Sequence, residues 1–109
     1  MLNFDEQRFL RIQSGAVSLQ KRLETVIASC LAAGAENVFF LGTGGAAILM
    51  QPAAQLLQRR SRFPAFIDMP AELVLTGSVN LTDKSIVVMP SLSGTTKESV
   101  ALLAKLKEI

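Results

Sequence analysis

The run Val38-Phe39-Phe40-Leu41, followed at once by Gly42-Thr43-Gly44-Gly45, constrains the fold more than any other feature of this chain. Four consecutive large apolar residues leave no polar face for solvent. A strand of this kind must be covered on both sides, which is the situation of parallel sheets sandwiched between helices. The glycines then let the backbone turn sharply out of the strand. From Ala46 to Arg60 the spacing becomes helical, with Ile48, Leu49, Ala53, Leu56 and Leu57 as the expected apolar face. Pro52 lies inside that segment. It lacks an N–H, so a kink or break near Leu49 is expected.

The same succession returns near the end. Ile86-Val87-Val88-Met89 reads as a strand that runs into Ser91-Leu92-Ser93-Gly94-Thr95-Thr96. Lys97 to Ile109 then forms an amphipathic helix, with Val100, Leu103 and Leu106 inward and Leu102 a further inward candidate. Between the two units, Phe63 to Met69 is a strand candidate led by Pro64, so it should be short or at an edge. Pro70 to Gly77 suits a helical turn.

Ahead of all this, Asp5 to Ala33 carries Phe9, Ile12, Ala16, Leu19, Leu23, Val26, Ile27, Cys30 and Leu31 at three- and four-residue steps. This is one helical stripe, which Gly15 could divide into two helices meeting near Ser14-Gly15, and which Gly34 should end. The expected organisation is a helical segment over 1–34 and an α/β domain over 35–109. The fold class is α/β, a three-layer αβα sandwich around a parallel sheet. Its last helix would ordinarily lead into another strand, so the first half of a larger domain is expected.

Composition narrows the function classes. A chain of 109 residues forms one domain at most, and at that size it buries only about two-thirds of its unfolded surface. A partner subunit or further chain would therefore stabilise it. The net charge is +2, and the one tight basic cluster, Arg59, Arg60 and Arg62, has no aromatic between its members. That reads as a solvated helix end, so no nucleic-acid partner is expected. Cys30 is the only cysteine, which rules out an intramolecular disulfide and suits a reducing cytosol; in an apolar helical stretch it reads as core filler. The N-terminus, with Asp5 and Glu6, lacks a signal-peptide pattern, and no apolar run approaches a membrane span. The expectation is a soluble, cytoplasmic protein with no membrane partner. No metal site and no cofactor are expected.

Two loops could carry chemistry, and both stand between a strand and a helix. The second offers four hydroxyls, Ser91, Ser93, Thr95 and Thr96, around Gly94. At a helix N-terminus the free N–H groups and the macrodipole favour an anion, and hydroxyls add further donors. Any one hydroxyl is explained by a helix cap ahead of Glu98; four of them with a glycine exceed what a cap requires, and a phosphate fits. The first loop, Gly42 to Ala47, partly matches the dinucleotide fingerprint, with Ala47 where a third glycine would fall and Asp68 about twenty positions on. The structural alternative is a tight turn with close helix–strand packing, and a lone match of this kind carries little weight.

Taken together, the loops resemble the sugar isomerase (SIS) family of phosphosugar-binding domains. Its Ser-x-Ser-Gly-x-Thr-x-Glu pattern is complete here in Ser91, Ser93, Gly94, Thr96 and Glu98, and Ala71-Glu72-Leu73 is similar to a further family segment. The Gly-Gly loop followed by Pro52 looks like the branch of fructoselysine-6-phosphate deglycase and of the isomerase half of glucosamine-6-phosphate synthase. The resemblance implies a flavodoxin-like SIS fold and binding of a phosphorylated sugar or sugar–amine adduct. The expected function is part of a phosphosugar isomerase or deglycase; the alternative is a non-catalytic sugar-phosphate-sensing domain of a regulator. By the same resemblance, Ser91, Ser93 and Thr96 would hold the phosphate through hydroxyls, Leu92 through its N–H, and Gly44 and Gly45 through backbone contacts to the sugar phosphate. Two positions depart from the pattern: Ala46 stands where many relatives have Ser, and Leu92 where several have Gln or Arg. The chain has no His, and neither Glu72 nor Glu98 is assigned a catalytic role, so the acid and base are expected outside these residues. Relatives pair through such N-terminal helices, implying a homodimer or higher homo-oligomer.

Overall fold

The structure is a computed structural model and describes residues 4–90 and 97–109. The chain divides into two compact units, Met1–Ala33 and Gly34–Ile109.

The first unit is a pair of helices, α1 (Glu6–Ser18) and α2 (Gln20–Ala32). Asp5 caps α1, its carboxylate accepting from the Arg8 N–H at 3.0 Å. The interruption falls at Leu19 and not at Ser14-Gly15, because a single helical glycine costs only about 1 kcal/mol and α1 absorbs it. The Ser18 hydroxyl instead donates to the Gly15 carbonyl at 2.7 Å, and the Leu19 N–H turns back to Ala16 and Val17. Such local bonds compete with continuing the helix. No residue of either helix is buried, and Cys30 is only half-buried, so it does not fill a core.

The second unit is a three-layer sandwich. Its strands are β1 (Asn37–Leu41), β2 (Ala65–Asp68) and β3 (Ser85–Val88), all parallel, in the order β2-β1-β3. The central strand is the apolar run, and every residue of it is buried. Its side chains alternate between two cores. Val38 and Phe40 pack with Ala65 and with Met50 and Ala54 of α3 (Gly45–Arg60). On the other face, Phe39 and Leu41 pack with Leu73 of α4 (Pro70–Thr76) and Leu102 of α5 (Lys97–Leu106). Phe39 also stacks on Phe66, ring centroids 4.8 Å apart. β2 is short and at the edge, and the Pro64 carbonyl ahead of it accepts from Val38 N–H.

Two helices are rotated from their expected orientation. In α3 the inward residues are Met50, Ala54 and Leu57, whereas Ile48, Leu49 and Leu56 are 68, 75 and 62% exposed. The helix also runs unbroken through Pro52, which lies on its exposed side, where the ring meets no packed layer. In α5, Leu102 is fully buried and Leu106 half-buried, while Val100 and Leu103 point outward. α5 ends at Leu106 rather than at Ile109. Its Lys105 amino group donates to the Val74 carbonyl at 2.8 Å and to Leu73 at 3.5 Å, capping the last turn of α4.

Candidate functional site

Parallel strands bring all their carboxyl ends to one edge, and the glycine turn lies there. Gly42 leaves β1 beside the end of β2, its N–H donating to the Asp68 carbonyl at 3.4 Å. A Cβ on Gly42 would lie 2.8 Å from the Ala47 nitrogen and from Met50 Cε, and 3.0 Å from the Ala46 carbonyl carbon. The missing side chain is therefore what lets α3 start so close to the strand. It also sets the rotation that turns Met50 inward.

Gly44 has φ +59° and ψ −122°, a backbone region essentially restricted to glycine. It is the N-cap of α3 and offers no side-chain cap. The first intrahelical bond runs from the Ile48 N–H to the Gly44 carbonyl at 3.2 Å, so the N–H groups of Gly45, Ala46 and Ala47 stand ahead of it. Gly44 and Gly45 are both exposed. An exposed helix N-terminus with donors in this position suits an anion.

The other expected site residues, Ser91, Leu92, Ser93 and Thr96, lie outside the described residues. Their connection is nonetheless bounded by described elements. β3 ends at Val88 beside β1, where Phe40 and Val88 are register partners, and α5 begins at Lys97. The glycine turn and the serine loop thus follow neighbouring strands. In a sheet of order β2-β1-β3 the chain passes from β1 to opposite sides, and the crevice at that reversal, beyond the carboxyl ends of β1 and β3, is where open α/β sheets bind ligands.

Glu72 lies exposed in the first turn of α4, and its neighbour Leu73 is buried in the core. Asp68 closes β2, half-buried, in register with Leu41. Sequence reasoning noticed Asp68 only as a distant acid of a dinucleotide pattern; its pairing beside the glycine turn depends on strand order. Gly42's tight approach was foreshadowed by the glycine run alone. Among the described residues no three His, Cys, Asp or Glu side chains gather into a metal-binding group, and no helix is long and apolar enough to cross a membrane.

No protein-family model and no curated protein matches the chain. Among solved structures it is similar to a Bacillus subtilis protein described as a phosphosugar isomerase, at 30% sequence identity and a TM-score of 0.63. The match covers 67% of this chain and 23% of that one, so the chain spans about a quarter of that neighbour's length. Together with the three-layer sandwich described above, this likeness shows a partial flavodoxin-like SIS fold and supports, at the level of the family, a relationship to the phosphosugar isomerases.

Proposed function

We propose that the chain binds a phosphorylated sugar, or its adduct with an amine, at the carboxyl edge of the sheet. In this reading Ser91, Ser93 and Thr96 donate hydroxyl hydrogen bonds to the phosphate, assisted by the Leu92 N–H. The Gly44 and Gly45 backbone contacts the sugar phosphate from the neighbouring strand. The observation that carries it is the strand order: the two loops with anion-binding character follow β1 and β3, which are adjacent and flank the reversal of the sheet.

The binding site belongs to an isomerase- or deglycase-type reaction. Aldose–ketose isomerisation and fructosamine-phosphate deglycation both move protons at carbons beside a carbonyl, which requires a positioned base and acid. With no His in the chain and Glu72 exposed on α4, we place those groups outside these 109 residues. Isothermal titration tests the binding. Fructose 6-phosphate should bind saturably and NAD should not; binding of NAD without binding of the sugar phosphate would replace this reading with a dinucleotide site.

A further inference from the structure

We infer that the outer edge of β3 is a self-association surface. On it, β3 of a second copy of this chain pairs antiparallel across a two-fold axis, and the two sheets become one of six strands. The inference stands apart from the phosphosugar reading. In the order β2-β1-β3 the sheet has two edges, and the chain treats them differently. The β2 edge is closed off. Pro64 leads the strand, the Gln58 side chain of α3 donates to the Ala65 carbonyl at 3.1 Å, and Asp68 ends the strand with a charge. Prolines, charges and covering groups are the means by which sheet edges are kept from pairing.

β3 has none of these. Ser85-Ile86-Val87-Val88 contains no charge, proline or glycine. Alternate N–H and C=O groups of an edge strand point away from its one neighbour. Among the described residues, the side-chain hydrogen bonds of this region engage the main chain of Asn80, Thr82 and Lys84, and none engages that of Ile86, Val87 or Val88. All four strand residues are only half-buried, although Ile86 and Val88 pack toward the α3 side and Val87 toward α4 and α5. An added strand would cover them on both faces.

Charge and register favour a second copy as that strand. A two-fold axis sets a strand against itself, so a charged edge would repel its own copy; β3 brings no charge to the pair. An axis normal to the sheet keeps each face on its own side, so Val87 meets Val87 of the second copy and Ile86 meets its Val88. The same register places Met89 of the second copy opposite Ser85. There a cavity of about 290 Å³ opens beside the edge, lined in part by Leu81, Ser85, Val87 and Leu106. Methionine, flexible and apolar, suits such a gap. A contact of this isologous kind closes at two copies.

The test is hydrogen exchange of the β3 amides in the full chain at low and at high micromolar concentration, with light scattering at both. The expected result is exchange slower by about tenfold or more at the high concentration. Val87→Lys and Val87→Glu, each checked for folding by circular dichroism, should each lose this protection and halve the mass of the assembly. Mixing the two variants should restore both readouts, because opposite charges then face each other across the axis; a misfolded variant gives no such rescue. Exchange in wild-type β3 that is independent of concentration would overturn the inference, whether the chain is a monomer or associates through the helices of the first unit. The edge would then be left for a strand of some other polypeptide segment. Folded variants that keep the wild-type mass and protection would overturn it as well.

Discussion

A hydroxyl that donates to a phosphate engages a charged acceptor, and such a bond is worth roughly 1.5–3 kcal/mol. Ser93 is the residue where this can be weighed against a purely structural role. If it holds phosphate, Ser93→Ala should lower affinity for a sugar phosphate about ten- to a hundredfold. A helix cap predicts a loss of about 1 kcal/mol of stability with affinity unchanged. Measuring ligand affinity and denaturant midpoint on the same variant separates the two, and a drop in midpoint alone would sink the phosphate role. Gly42 acts through absence. Because a Cβ there would press on backbone at 2.8–3.0 Å, Gly42→Ala should destabilise the second unit by about 1–3 kcal/mol. Urea unfolding checks this, and a neutral result would mean that α3 can retreat from β1 freely.

Among the elements, α3 departs most from expectation. A proline inside a helix forfeits one backbone bond and crowds the preceding turn, at about 3 kcal/mol, yet α3 continues from Gly45 to Arg60. Pro52 sits on the exposed side, and contacts of Met50, Ala54 and Leu57 with β1 and β2 hold the helix in place. Replacing Pro52 with Ala should restore a bond to the Ile48 carbonyl and offset the greater freedom of the unfolded chain. A net gain of about 1–2 kcal/mol in urea unfolding is expected; a loss would show that the proline is part of the native packing. On the other face, α4 and α5 act as a pair. α4 is only seven residues long, and Lys105 of α5 closes its last turn. The edge that carries the glycine turn is thus backed by helices on both faces of β1.

For the whole molecule, the unburied helices of the first unit matter most. Helices of thirteen residues are marginal in water without a packed face. Phe9, Ile12, Leu23 and Val26 are between 49 and 62% exposed. Apolar surface collected in this way marks an association site, and we expect the chain to form a homodimer or higher homo-oligomer. Light scattering at high micromolar concentration is the check. A well-behaved monomer there would count against the expectation.

Much of the second unit was legible from residues alone, for a physical reason. A strand without a polar face has to be covered on both sides, so Val38 to Leu41 already implied a parallel sheet between helices, and Pro64 already implied a short edge strand. The glycine turn was visible because glycines between a strand and a helix mark a sharp turn with close packing; the serine loop lies outside the described residues. Periodicity was less decisive for α3 and α5. Their apolar residues extend around much of each helix, so several stripes match a helical period, and the inward one depends on a contact. For α3 that contact is the approach of Ala46, Ala47 and Met50 to Gly42; for α5 it is the seat of Leu102 against Phe39 and Leu41. The break at Leu19 likewise turned on one serine hydroxyl rather than on the glycine. Strand order, and with it the placing of Asp68 beside the glycine turn, required distant segments to pair. Local sequence carries no record of which strand lies next to which; only the tertiary structure decided that.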